Sequence, residues 1–259
     1  MTDDNRLKGD SLISSRLLPT PIKRPYSSSY FNSNVVSMIT NIKSNYSVDF
    51  NCFEFGCGGG ALGSALLQSH LITSYSGCDS SEEACASAQK DGLDVQLSTC
   101  ESVILALPDS CIKDFNLFIY ADVLEHLVDP WAHLKHLHSR IRSGSWLVVS
   151  IPCFFHHSNL TSIGNFRFDY EEWGVMDFTH LRHFGLQNII SLLQLTGFSI
   201  PSNLPLIPSF DPEGSHLFEK TQTSLPAVVN FGDLSFTIRD INHLLQVCAY
   251  QFVLCAQKI

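Results

Sequence analysis

Phe53-Glu54-Phe55-Gly56-Cys57-Gly58-Gly59-Gly60 decides how this chain folds. The apolar residues Phe50, Cys52, Phe53 and Phe55 read as a buried strand, and Ala61 to Gln68 read as the helix after it. Between them the glycines permit the positive φ angles of a tight turn and a close backbone approach to a ligand. The helix N-terminus offers free N–H groups to an anionic or polar ligand. Glu54 sets the turn apart. A carboxylate there suits a ligand with a cationic or hydroxyl-bearing end and suits a pyrophosphate badly.

Several readings of the turn compete. Gly58 to Gly63 has the glycine spacing of a P-loop, but Ser64 follows where the phosphate-binding lysine should stand. Gly56, Gly58 and Ala61, with Asp79 21 residues after Gly58, fit a dinucleotide-binding turn and its ribose-binding acid. Glu54-x-Gly56-x-Gly58-x-Gly60 also matches, without a gap, the first motif of class I S-adenosylmethionine-dependent methyltransferases. An ordinary glycine-rich connection is the plain alternative.

The rest of the chain supplies the frame. Ser74–Cys78 reads as a strand ending at Asp79, and Ser80-Ser81-Glu82-Glu83 as a capping box with Ser80 as the cap. Strands are expected at 94–97, at 115–121 (a continuous apolar run, as in a central parallel strand), at 146–151 and at 247–256. Helices are expected at 34–43, up to Lys90, from Asp129-Pro130 with proline at the first position, and at 187–196. This alternation predicts an α/β fold, a doubly wound, mostly parallel sheet. Ligands bind such sheets outside the carboxyl ends of the strands. Residues 1–30, rich in Ser and Pro, are expected to be a flexible arm or lid, and 31–259 a single domain. Within it, 153–184 reads as an irregular, aromatic-rich acceptor-side insertion and 201–246 as an extended excursion before the last strand.

Composition narrows the function classes. With 44% hydrophobic and 16% charged residues the chain can bury a core and is not a disordered chain. A formal net charge of −9 argues against a broad nucleic-acid footprint. None of the nine cysteines forms a Cys-x-x-Cys pair, which argues against a structural zinc site and for reduced thiols. There is no 18-residue apolar run to span a membrane and no secretory h-region, so cytoplasm is the expected location.

Downstream motifs separate the readings. Asp122-Val123-Leu124-Glu125-His126-Leu127 follows the fourth strand, and Gly174-Val175-Met176-Asp177-Phe178-Thr179-His180-Leu181-Arg182-His183-Phe184 lies further on. With Gln251 to Lys258 as a last strand, these stretches resemble class I S-adenosylmethionine-dependent methyltransferases of the ubiquinone-biosynthesis-like type, over about residue 50 to the end. The resemblance implies a seven-stranded sheet whose last strand is antiparallel. It implies S-adenosyl-L-methionine as cofactor, with Glu54 toward its amino-acid end, Gly56, Cys57, Gly58 and Gly60 along the methionine and ribose, Asp79 on the ribose hydroxyls with Ser80 beside it, Cys100 and Glu101 at the adenine edge, and the Ala121 carbonyl toward its amine. The activity expected is methyl transfer to an oxygen, or a nitrogen, of a small-molecule acceptor. The alternatives are an RNA 2′-O-methyltransferase, an NAD-dependent oxidoreductase, and a non-catalytic cofactor-binding partner subunit.

His126 and His180 are the candidate general bases, since imidazole titrates near working pH. Asp122, Glu125, His126 and His180 would also make an oxygen–nitrogen set for a divalent metal, if Asp122 and Glu125 shared the first turn of a helix. The resemblance extends to groups with Glu-x-x-Glu-His at this place. Asp122 is a shorter arm than that pattern has, and metal dependence is not the favoured expectation. Phe154, Phe155, Phe166, Phe168, Tyr170 and Trp173 would either wall the acceptor pocket or form the insertion's core. Arg167 and Arg182 would meet an acceptor anion or pair with Glu171, Glu172 or Asp177.

Overall fold

The computed structural model describes residues 31–259, so the arm or lid expected over 1–30 lies outside the described residues. A seven-stranded sheet runs through the domain. Its strands are β1 (Asn51–Phe55), β2 (Ser74–Asp79), β3 (Asp94–Leu97), β4 (Leu117–Ala121), β5 (Trp146–Pro152), β6 (Ile207–Phe210) and β9 (Ala249–Gln257). The spatial order is β3-β2-β1-β4-β5-β9-β6. β1, β2, β3, β4 and β5 pair in parallel, while β9 runs antiparallel between β5 and β6. The α/β fold and the antiparallel last strand are as the sequence predicts.

Helices α1 (Ser33–Tyr46), α2 (Ala61–Gln68), α3 (Glu82–Lys90), α4 (Cys100–Ala106), α5 (Asp109–Ile112), α6 (Pro130–Arg140) and α8 (Leu186–Leu195) flank the sheet. Two hydrophobic clusters cover its faces. One holds Phe53, Phe55, Phe118, Tyr120, Leu134 and Ile189; the other holds Met38, Ile42, Leu66, Ile119 and Val148. The alternation along β1 and β4 sends successive side chains to opposite clusters, as a strand buried on both faces requires.

Three local readings need correction. Ser81, not Ser80, caps α3: its side chain accepts from the Ala84 N–H at 3.2 Å. Asp79 displaces the cap by one residue, because its Oδ1 accepts the Ser81 N–H at 2.8 Å and fixes the chain there. Second, 247–256 is not all strand. Helix α10 (Ile241–Cys248) runs into it, and β9 starts at Ala249. Burial alone does not distinguish the last helical turn from a strand. Third, the expected excursion is ordered structure. It contains β6, α9 (Pro212–Thr221), a hairpin of β7 (Ala227–Phe231) and β8 (Leu234–Ile238), and α10. The hairpin packs on α7 (His157–Gly164), the helix within the 153–184 insertion, through Leu160, Phe231 and Ile238, in a cluster that Leu244 and Val247 of α10 complete.

Candidate active site

The octapeptide turn lies at the carboxyl end of β1. Gly56, Gly58 and Gly60 all have left-handed φ angles, of 64°, 54° and 76°. At Gly56 a side chain has no room: a Cβ there would sit 2.6 Å from Val123 Cγ2. Gly58 N–H donates to Asp79 Oδ2 at 2.8 Å, so the turn is tied to the end of the neighbouring strand. A cavity of about 980 Å³ opens beside this joint. Gly56, Asp79, Ser80, Thr99, Cys100, Glu101, Asp122, Val123, His126 and Leu127 line it, together with the start of α3.

Glu54 lies beneath the turn and is 3% exposed. Tyr75 Oη donates to its Oε2 at 2.6 Å. Burial pushes the Glu54 carboxyl up to about 8, Asp79 adds to the rise, and the Tyr75 hydrogen bond offsets only part of it. The group therefore carries a proton at neutral pH until a positive charge comes near.

A second constellation borders the cavity. Leu124–His126 forms a 3₁₀ turn, not the first turn of an α-helix, and α6 begins only at Pro130. Asp122 precedes that turn with a left-handed φ of 57°. Its carboxylate accepts from Ser150 Oγ at 3.0 Å and from Gln251 Nε2. Desolvation raises it to about 6. Glu125, His126 and His180 instead converge, with ligand atoms within 4.8 Å of one another. The four-residue set expected from sequence is thus three, because the backbone turns Asp122 toward β5 and β9.

The two histidines are oriented alike. His126 Nδ1 is 3.2 Å from the Thr179 carbonyl and His180 Nδ1 is 3.1 Å from the Val175 carbonyl. A carbonyl only accepts, so the tautomer protonated at Nδ1 suits both contacts and makes Nε2 the basic nitrogen. His180 Nε2 is 3.9 Å from Glu125 Oε1. Burial, with His126 beside it, lowers His180 to about 4 and keeps it neutral at pH 7. Glu125 is 1% exposed and neither carboxyl oxygen has a hydrogen-bond partner. Burial, with Asp122 and Asp177 adding to it, raises this carboxyl well above the usual range. An orphaned carboxyl facing two imidazole lone pairs fits a divalent ion, with the backbone carbonyls on Nδ1 as supporting shell.

Residues 53–147 match the family model described as a methyltransferase domain. The ubiquinone biosynthesis O-methyltransferase of Parvibaculum lavamentivorans is 28% identical over 108 residues, which cover 39% of this chain and 40% of that protein. The chain therefore spans about two fifths of the length of the curated relative it matches. The architecture extends further. A structure from Thermotoga maritima, described as an S-adenosylmethionine-dependent methyltransferase and possible histamine N-methyltransferase, aligns with a TM-score of 0.54 and 17% identity, over 87% of this chain and 89% of that one. Magnesium protoporphyrin IX methyltransferase from Synechocystis PCC 6803 with bound SAH aligns with a TM-score of 0.54 and 16% identity, over 90% and 91%.

Residues 53–147 thus match a methyltransferase domain, and the fold around them is shared with methyltransferase structures. Of the cofactor residues expected from the sequence, Gly56, Asp79, Ser80, Cys100 and Glu101 line the large cavity, along with Asp122 and His126. Glu54, Cys57, Gly58, Gly60 and Ala121 are not among the lining residues. They form the floor and frame of the turn, with Gly58 holding Asp79 and Glu54 holding Tyr75. His180 meets the cavity through His126, the two rings lying 4.8 Å apart.

Three contributors to the site go beyond the residues expected from sequence. Val123 fills the space that Gly56 leaves, Ser81 rather than Ser80 caps α3, and Tyr75 partners Glu54. Only Tyr75 had a signal, since a polar tip on a buried strand needs a partner. The insertion's aromatics do not form the buried core that was one of the two expectations for them. Phe166, Phe168, Tyr170 and Trp173 are exposed, and Phe155 partly so. Arg167 pairs with Asp169 at 2.6 Å, two residues along. Arg182 donates to the carbonyls of Leu181 and Val128.

Proposed function

We propose that this chain transfers the methyl group of S-adenosyl-L-methionine to an oxygen of a small-molecule acceptor. The single observation that carries the cofactor reading is the tie between Gly58 and Asp79 at the mouth of the large cavity. It fixes a glycine turn and a carboxylate together, and Asp79 can accept ribose hydroxyls on the remaining lone pairs beside its two backbone contacts. Glu54 supports a cation rather than a pyrophosphate, because a buried carboxyl of this kind ionises when positive charge arrives. The oxygen acceptor rests on the ubiquinone biosynthesis O-methyltransferase relative, which matches over part of its length.

The cofactor supplies the reactive methyl group, and the protein supplies alignment and a site shielded from water. A hydroxyl acceptor must lose its proton as the new bond forms. His126 and His180 each present Nε2 as a lone pair at the cavity's edge, and either can take that proton. The Nδ1 bonds to backbone carbonyls hold the tautomer in which this works.

One observation favours a second reading of the same residues. The buried carboxyl oxygens of Glu125 have no partner. With His126 and His180 they would hold a divalent ion, which would lower the acceptor hydroxyl's pKa and orient it.

The test is calorimetry on the purified chain with S-adenosylmethionine, S-adenosylhomocysteine and NAD in parallel. Saturable binding of the first two without NAD is the expected result. NAD binding alone would overturn the reading. Methyl transfer to a panel of phenols, alcohols and amines then separates oxygen from nitrogen acceptors, and a chelator arm tests the ion.

A further inference from the structure

A third polar constellation lies away from the cofactor cavity. His156 and His157 stand at the start of α7, just beyond the carboxyl end of β5. Asp211 stands at the start of α9, just beyond the end of β6, and caps that helix by accepting the Gly214 N–H at 2.6 Å. Because β9 runs antiparallel to both β5 and β6, those two ends open on the same rim of the sheet. His156 and His157 are buried, at 4% and 5% exposure, whereas the Asp211 side chain is 35% exposed.

We propose that His156, His157 and Asp211 bind a zinc-class divalent ion, with a further coordination position open to solvent. Spacing supports it. Ligand atoms on a tetrahedral ion at about 2.0–2.1 Å lie about 3.4 Å apart. Here His157 Nε2 is 3.1 Å from Asp211 Oδ1 and His156 Nε2 is 3.5 Å from Asp211 Oδ2. The three ligand atoms lie within 4.8 Å of one another.

Satisfaction of the ring nitrogens supports it independently. His156 Nδ1 lies 2.8 Å from Ser158 Oγ, and its Nε2 is buried without a hydrogen-bond partner. A ring whose Nδ1–H donates to that hydroxyl aims an Nε2 lone pair at Asp211. An unsatisfied buried nitrogen of this kind is costly, and a metal bond would satisfy it. His157 Nε2 lies 3.1 Å from Asp211 Oδ1, and its Nδ1 is 3.9 Å from Glu213 Oε2, beyond hydrogen-bond reach. Two imidazoles and one carboxylate suit zinc better than magnesium or calcium, which take oxygen ligands. The ion would join α7 of the insertion to α9, two elements that otherwise meet through the hairpin and α10.

The experiment loads the chelator-stripped full chain with Co²⁺ or Zn²⁺. It compares wild type with Asp211→Asn, His157→Gln and Glu125→Gln. Asn at 211 keeps the oxygen that caps α9, so the fold has reason to survive; circular dichroism checks this, and His157→Gln stands in if it fails. The expected result is a tetrahedral Co²⁺ absorption band and one metal equivalent that Glu125→Gln retains. Asp211→Asn and His157→Gln each weaken that equivalent at least tenfold. A wild type that binds no Co²⁺ or Zn²⁺ would overturn the proposal. So would a Glu125→Gln chain that binds no metal, which would place it at the other histidines, or an equivalent retained by Glu125→Gln that neither cluster substitution weakens.

Discussion

Tyr75 Oη donates a 2.6 Å hydrogen bond to Glu54 Oε2 in the buried space beneath the glycine turn. The pair comes from adjacent strands, with Glu54 opposite Gly77 in the register. A glycine at 77 leaves the room into which Cys57 and the Tyr75 hydroxyl pack. The carboxylate under the turn is therefore held from below, by a phenol, before any ligand approaches from above.

This arrangement predicts a stability that falls with pH. The folded chain keeps a proton on Glu54 up to about pH 8, while an unfolded chain releases it near 4.3. Between those values the native state binds more protons than the unfolded state, so stability declines as pH rises. Glu54→Gln removes that decline. The variant should melt a few degrees higher than wild type at pH 8.5 and show little difference at pH 4.5, while binding S-adenosylmethionine at least tenfold more weakly. Paired melting curves across this range, with calorimetry at pH 7.5, check both halves. An unchanged pH profile would mean that Glu54 is ionised in the free protein.

Asp79 is used on both oxygens. Oδ2 takes the Gly58 N–H and Oδ1 takes the Ser81 N–H, so one side chain couples the turn to the cap of α3. Asn offers one accepting oxygen in place of two. Asp79→Asn should cost about 1 kcal/mol of stability, the worth of one such bond, and a larger share of cofactor affinity, tenfold or more. Equal affinity in wild type and variant would remove Asp79 from the ribose site.

Much of this site was legible in the sequence, and the reasons are local. Glycine at positive φ, an acid ending a strand and proline opening a helix each express a backbone constraint within a few residues. Gly56, Asp79 and Asp129-Pro130 are therefore where the sequence places them. What failed depended on neighbours distant in sequence. Asp122 belongs to Ser150 and Gln251 instead of to Glu125, and only the packing of β5 and β9 decides that. His156, His157 and Asp211 meet because β6 returns beside β9, a pairing that the proline-rich stretch after 201 conceals. The α3 cap slipped by one residue because two adjacent serines offered the same chemistry, and an Asx turn chose between them.

His180 separates catalysis from architecture. Its ring is neutral at pH 7 and its Nε2 points toward Glu125. His180→Ala should lower kcat by at least 10², the usual loss for a positioned acid or base, and leave cofactor affinity within threefold. The acid limb of kcat/KM in wild type should fall near pH 4, not near 6.5, because the lowered pKa keeps the lone pair available through the mildly acidic range. A kcat within twofold of wild type would make the residue structural.

Glu125→Gln tests the buried set from the other side. As a free carboxyl, buried and beside Asp122 and Asp177, Glu125 holds its proton well above the usual range and weakens the fold as pH rises, by the same sign of linkage as Glu54. The amide is nearly isosteric and cannot ionise, so without a bound ion the variant should match or exceed wild-type stability above pH 7. If Glu125, His126 and His180 hold a divalent ion, that ion stabilises the wild type, and the order reverses when Mg²⁺, Mn²⁺ or Co²⁺ is added. Melting curves with chelator and with each ion therefore give opposite signs for the two states of the site. Turnover that a chelator leaves unchanged, together with a variant at least as stable in every buffer, would reduce the set to a general base and its neutral neighbours.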